Sequence, residues 1–298
     1  MTENTPFWFT VGLVVCLILL HRIALVVLAI GQNRMPWLVE AGKGWRGYRW
    51  LRRSGASLAE RYPRGADFIA RRVSLTRFSG LPLSLMAVAA AYVLILAGDL
   101  IQELIQAEDL IDIDRQVNQS LTVLRGPPVL GMFIFLTFYG TVPFMIGATI
   151  LSSVLLISLR RGLYVVPFWL TVGCATALTW AGKYALARPR PDVSTTVIEA
   201  SPSFPSGHAT AAMATYGFLA YVCSREGATL RLRFEVVFWG IVLIALMGFS
   251  RLVLGVHYLS DVAMGYLVGF FFLLIGIGLA EYLRGRDRRG APGTARPE

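Results

Sequence analysis

The chain has 298 residues, 55% of them hydrophobic and 15% charged, with 28 Lys and Arg against 18 Asp and Glu for a net charge of +10. A typical soluble domain is about 25% charged, and the mean hydropathy here is +0.60. A disordered chain is therefore excluded, and an integral membrane protein with several helical spans is favoured over a water-soluble globule.

The N-terminus, Met1-Thr2-Glu3-Asn4, has no Lys or Arg before its apolar run, and no small-residue cleavage pattern follows. The run reads as a retained span rather than a cleaved signal. A bilayer core needs about 20 apolar residues per helix, and seven candidates meet that: 7–31, 81–102, 129–158, 162–182, 207–224, 234–250 and 257–282. His21 and Arg22 interrupt the first, and Arg22 is expected to snorkel to the nearer interface. The third is long, with Gly140 and Pro143 placed to kink it unless the helix tilts instead. Cys16, Cys174 and Cys223 lie in separate apolar runs with no Cys-x-x-Cys. They read as buried small hydrophobes, not as a zinc site or disulfide framework.

The basic balance suits nucleic acid or anionic lipid, and the position of the charges decides between them. The 32–80 segment holds eleven Lys and Arg, and the 159–161 turn, the 224–233 turn and the 284–298 tail bring these alternate loops to twenty-one of the 28. By the positive-inside rule they are cytoplasmic, with the N-terminus outside and the C-terminus inside. The 103–127 loop is instead acidic, with Glu103, Glu108, Asp109, Asp112 and Asp114. Lys183, Arg188, Arg190 and Arg251 fall on the outer side, where the bias disfavours them and a reason is needed. The 32–80 linker interleaves its arginines with Trp37, Trp45, Tyr48, Trp50 and Tyr62. Beside a span this reads as an interfacial segment on anionic lipid at the cytoplasmic face, not as a nucleic-acid surface. The expected organisation is an N-terminal span and basic linker over 1–80, a six-helix membrane domain over 81–285, and a disordered cytoplasmic tail over 286–298.

Three outer-side segments carry chemistry. In Lys183-Tyr-Ala-Leu-Ala-Arg188-Pro-Arg190-Pro191, a helix-ending lysine and a Pro-stiffened arginine supply the two fixed cations a phosphate needs. Taken alone, flanking charge at a span end explains them better. In Pro205-Ser206-Gly207-His208, Ser206 is a good N-cap, and Gly207 lets backbone approach a ligand. A capped helix start with its free N–H groups makes an anion site, although an ordinary cap with an incidental His fits equally well. In the third segment, Ser250 to Asp261, His257 and Asp261 stand i, i+4 on one face of the seventh span, with Arg251 on the turn before. A carboxylate on one imidazole nitrogen leaves the other as acceptor or nucleophile. A structural His–Asp pair is common, but ionisable pairs inside a span are costly and usually functional. All three segments face the same side, and two of the three histidines fall in them. Such convergence describes a phosphoryl-transfer site.

These residues resemble the tripartite signature of the type 2 phosphatidic acid phosphatase superfamily: Lys-x6-Arg-Pro, Pro-Ser-Gly-His and Ser-Arg-x5-His-x3-Asp. All eleven specified positions are present in order, and the resemblance covers roughly 81–285. It implies an all-α integral membrane fold, here a six-helix phosphatase core plus one extra N-terminal transmembrane helix. It further implies that His257 is a nucleophile forming a phosphohistidine, that Asp261 orients it, and that His208 is first acid and then base. Lys183, Arg190, Ser206, the Gly207 backbone and Arg251 would hold the phosphate oxygens. Arg188 matches no family position. No metal or cofactor is implied, because the motifs lack a carboxylate cluster and the cations take a metal's place.

The expected activity is hydrolysis of a lipid phosphate at the outer face of a bacterial inner membrane, with activity bell-shaped in pH around the histidine range. The candidate substrates are polyprenyl diphosphate, phosphatidylglycerol phosphate, phosphatidic acid and lipid A phosphates, the first two preferred on family habit. A lipid transporter is the alternative, and it predicts mid-membrane charges and inverted repeats that the sequence does not clearly show. A vanadate-dependent peroxidase shares the signature but is generally soluble.

Overall fold

The computed structural model describes residues 5–44, 61–63, 81–106, 108–193, 197 and 199–290. Every regular element among them is helical. In chain order they are α1 (Thr5–Gly44), α2 (Leu81–Gln106), α3 (Glu108–Ser120), α4 (Pro127–Phe138), α5 (Val142–Ser158), α6 (Val165–Leu186), α7 (Gly207–Glu226), α8 (Leu230–Val253) and α9 (Leu259–Gly290). The chain divides into two units, 1–85 and 86–298. In the first, α1 presents exposed apolar side chains from Trp8 to Ile30, the surface expected of a helix that meets hydrocarbon on every side. It continues to Gly44, past the expected end of the span at 31. The rest of the basic aromatic linker, apart from 61–63, lies outside the described residues, as does 291–298.

Among the described residues, five helical stretches are long and apolar enough to cross a bilayer: Trp8–Gln32, Pro82–Gln106, Gly162–Leu186, Leu230–Val253 and Leu259–Asp287. α5 is apolar but shorter, at 17 residues. α7 is long enough yet does not reach the same apolarity, for a packing reason. It is the central helix, touching α5, α6, α8 and α9. Its inner positions are small or polar: Ala209, Thr210, Ala212, Ala214 and Thr215 are all buried. A helix surrounded by protein has no need of a lipid-facing surface. The fold is thus all-α and membrane-embedded, with α2 and α5 to α9 forming a six-helix core and α1 an additional N-terminal helix.

The expected single span over 129–158 is instead two helices. Pro127 opens α4 and Pro143 opens α5, with Gly140 and Thr141 between them. A proline in the first turn starts a helix without loss of a hydrogen bond, so Pro143 begins a new helix rather than kinking an old one. The acidic 103–127 loop also folds, into the amphipathic α3, which meets α4 at a bend of 115°. The last helix runs to Gly290, beyond the expected start of the tail at 286. The three cysteines are exposed on their helices rather than buried. In a membrane protein an apolar run faces lipid as readily as protein, so an apolar neighbourhood does not imply burial.

One end of the bundle gathers the C-termini of α6 and α8 and the N-termini of α7 and α9. The other end is tied by ion pairs from the basic turns: Arg161 to Glu226 at 2.7 Å, Arg225 to Glu281 at 2.6 Å and Arg284 to Glu226 at 3.6 Å. The core between them packs Phe168 on Phe218, with Tyr164, Val222 and Leu273. α7 and α9 approach closely because Gly265 and Gly269 lack side chains. A Cβ on Gly265 would stand 2.6 Å from the Ser206 carbonyl oxygen, and one on Gly269 2.8 Å from that of Thr210. Those contacts set the position of the first turn of α7. Gly265→Ala is therefore expected to destabilise the protein by about 1–3 kcal/mol, read as a lowered Tm in detergent.

Candidate active site

At the motif end a cavity of about 340 Å³ opens among α5, α6, α7 and the segments that join α6 to α7 and α8 to α9. Lys183, Arg190, Gly207, His208 and His257 line its polar end. Val142, Met145, Ile146, Trp169, Val172 and Trp180 line the rest. Lys183 and Trp169 both border it, so it follows α6 for about 20 Å at 1.5 Å per residue. Of the other expected site residues, Ser206, Arg251 and Asp261 are fully or nearly fully buried behind this surface.

His257 is not on the seventh span. It lies in the turn after α8, and α9 begins only at Leu259. The helical i, i+4 premise fails, but the pair forms by another route. Asp261 sits in the first turn of α9 and accepts the Tyr258 backbone N–H at 2.9 Å, the reach-back half of a capping box. The same oxygen lies 3.3 Å from His257 Nδ1. With the Nδ1 proton held there, Nε2 keeps its lone pair, 3.3 Å from Arg190 Nη1. Burial, then the charges of Arg251, Arg190 and Lys183, hold the His257 imidazolium well below its usual range. The ring is neutral at pH 7.

Asp261 is anchored from behind. Arg188 donates to its other oxygen at 2.6 Å, to Asp114 at 2.8 Å and to Ser260 Oγ at 2.7 Å, and its guanidinium stacks 4.3 Å over Tyr258. Asp114, 1% exposed on α3, also accepts the Ser260 backbone N–H at 3.0 Å. Burial alone would lower the Arg188 pKa, but Asp261 and Asp114 outweigh it and raise the group above its usual value. Asp114 and Arg188 thus form a chain of buried charge ending on His257. From sequence, Arg188 reads only as a contact to the headgroup or to another site residue, and Asp114 only as one acid of the 103–127 loop. The signal available was an outer-side arginine opposite an acidic loop whose 3.6-residue spacing could have been read as a helix.

Arg190 is fixed by the Ser201 carbonyl at 2.9 Å and the Val256 carbonyl at 2.6 Å. Lys183 donates to the Pro202 carbonyl. Arg251, 1% exposed, donates to Thr137 Oγ1 at 2.8 Å and to Glu199. Glu199 borders the cavity and stands 3.5 Å from Arg190. Burial would raise its pKa, but Arg251 and Arg190 overcome that and hold it below the usual carboxylate range. Sequence reading missed Glu199, since a lone acid among small residues carries no periodic signal.

Ser206 occupies the N-cap position of α7, but its hydroxyl caps nothing. Its backbone N–H donates to the Asp261 carbonyl at 2.9 Å, which locks the α7 start to the α9 start. The Ser206 hydroxyl, His208 Nε2 and Arg251 Nε are buried and make no hydrogen bond. Buried polar groups ordinarily find partners, so these three atoms hold unused hydrogen-bonding capacity around one site. Gly207 has only Thr179 Cγ2, at 4.0 Å, near the place of a Cβ, so its missing side chain widens the cavity rather than relieving the fold. Gly140 works the other way: a Cβ there would strike His208 Cδ2 and Met247 Sδ, each at 2.6 Å. The break between α4 and α5 is what admits the His208 ring.

The stretch that carries these residues is similar to known proteins. Residues 164–284, which hold all three motifs, match the family model of the PAP2 superfamily. The chain is 28% identical over 173 residues to phosphatidylglycerophosphatase B of Bacillus subtilis (strain 168), spanning 57% of this chain and 85% of that one. The fold superposes on the crystal structure of a transmembrane PAP2-type phosphatidylglycerolphosphate phosphatase from Bacillus subtilis with a TM-score of 0.58 at 24% identity, covering 70% of this chain and 98% of the other. Over residues 164–284 the chain thus resembles the PAP2 superfamily in sequence, and its helices share the fold of a solved PAP2-type structure.

Proposed function

We propose that this protein is a lipid phosphate phosphatase that works through a phosphohistidine. The observation that carries the reading is one cavity with two imidazoles and two cations at its polar end and an apolar wall along α5 and α6. A phosphorylated headgroup fits the first part and its hydrocarbon tail the second. His257 Nε2 attacks phosphorus while the bond to the lipid oxygen breaks, and His208 gives that oxygen a proton. His208 then takes a proton from water, whose oxygen attacks phosphorus as the P–N bond breaks. Asp261 holds the His257 tautomer. Lys183, Arg190, Arg251, the Ser206 hydroxyl and the Gly207 backbone N–H receive the charge that grows on the phosphate oxygens. These cations supply the stabilisation a metal would otherwise give, so the reaction needs none. Phosphatidylglycerol phosphate is the first substrate to try, in view of the name of the Bacillus relative, with polyprenyl diphosphate and phosphatidic acid beside it. The site faces the periplasm or outside of a bacterial inner membrane. The crowding of Lys and Arg into the opposite loops supports that orientation.

Three measurements test the reading. Phosphate release from these lipids in detergent should persist in excess chelator and fall by at least about 10³-fold in His257→Ala; retained activity in the variant removes the nucleophile. Because His257 resists protonation, the acid limb of kcat/KM is expected below the ordinary imidazole pKa of about 6.5, not at it. Acidification costs activity only as pH falls through the depressed value, once substrate ionisation near pH 6 is divided out. An inflection at the ordinary value counts against the assignment. Finally, a cysteine at exposed Asp192, in a chain with its three native cysteines replaced, should react with an impermeant reagent added outside intact cells. Labelling only from the cytoplasmic side reverses the orientation.

A further inference from the structure

Glu199 sits between two of the arginines that the proposed reaction assigns to phosphate. One carboxylate oxygen accepts from Arg251 Nη2 and the other faces Arg190 Nη2 at 3.5 Å, so the carboxylate bridges two guanidiniums at the rim of the cavity that holds His257. Planar guanidinium forks match carboxylate and phosphate oxygens alike. Resting on the reading above, we infer that Glu199 is a built-in surrogate for the phosphate group. It occupies the anion site of the empty enzyme, has to be displaced when a headgroup binds, and returns to help expel inorganic phosphate.

The fixed charges favour a phosphate over the carboxylate. Lys183, Arg188, Arg190 and Arg251 bring four positive charges to this end of the bundle, and Asp114 and Asp261, both locked to Arg188, bring two negative ones. Glu199 removes one of the two charges left over. A phosphomonoester carries about −1.5 to −2, more than the single charge of the carboxylate it displaces. The mechanics agree. Arg251 is 1% exposed and would be costly to leave without an anion, which gives the empty enzyme a reason to keep one. Arg190 and Arg251 are each held by other partners, Ser201 and Val256 for the first and Thr137 for the second. Both therefore stay in place when the carboxylate leaves. Glu199 itself is 26% exposed and belongs to the irregular stretch between α6 and α7, so it has somewhere to go.

The test compares wild-type protein with Glu199→Gln, which keeps the shape and loses the charge. Inorganic phosphate is the probe, by calorimetric titration and as an inhibitor of lipid hydrolysis. The variant is expected to bind inorganic phosphate about tenfold more tightly or better, with KM for the lipid phosphate falling and kcat falling with it as product leaves more slowly. Equal or weaker phosphate binding in the variant overturns the inference, since a side chain that merely props the loop would weaken the site on removal. If Glu199→Gln does not fold, Glu199→Asp, whose reach is one methylene shorter, should show a smaller tightening. The same weaker or unchanged result would overturn the inference. Tighter binding in a protein that hydrolyses no lipid phosphate would sink the phosphatase reading and keep the surrogate. Hydrolysis with no tightening would do the reverse.

Discussion

Everything at the motif end follows from the difficulty of keeping charge out of water. Four cations and three carboxylates lie within a few ångströms of one another, and most of them are nearly inaccessible. Each is tolerable only because another answers it. Asp261 is buried because Arg188 meets it, and Arg188 because Asp114 meets both it and the first turn of α9. A buried pair of this kind contributes little net stability, whereas removal of one member is strongly destabilising. The network thereby fixes geometry, which matters more for a reaction than stability does. An imidazole whose tautomer and direction are set before substrate arrives needs no reorganisation during the chemical step.

The same constraint explains the architecture. Helices that carry charge at their ends have to bring those ends together, and α7 is placed at the centre to do so. It is built from small residues, with Gly265 and Gly269 of α9 pressed against its backbone. The Ser206 N–H bond to the Asp261 carbonyl then ties the cavity-facing start of α7 to the His–Asp pair. Loss of lipid-facing apolarity in α7 is the cost of that central position. The break between α4 and α5 has a similar origin: with Gly140 at the turn, the His208 ring lies where a side chain would otherwise be.

The cavity joins two solvents. Its polar end is a cluster of hydrogen-bond donors, while its long wall on α5 and α6 is indole and aliphatic surface continuous with the membrane-facing helices. Trp169 and Trp180 are both part-exposed and border it. Amphipathic rings of this type are at home where one side is wet and the other apolar.

Composition and spacing alone determined the helical membrane class, the additional first helix and the three signature segments, because hydropathy and motif spacing are local properties of the chain. His257, Asp261, His208, Lys183, Arg190 and Arg251 were all legible as members of one candidate site, and Gly207 as the glycine beside it. What could not be read was anything that depends on which surfaces meet. Apolar runs do not distinguish lipid from protein, so the cysteines were misplaced. Proline in a first turn and proline in a kink look alike, so α4 and α5 were fused. Asp114, 74 residues before Arg188 and 146 before Ser260, and Glu199 acquire meaning only when folding brings them against Arg188, Ser260, Arg190 and Arg251. Charge pairing over that separation is decided by tertiary packing, since the energy of a buried carboxylate depends on what lies within a few ångströms and not on its neighbours along the chain.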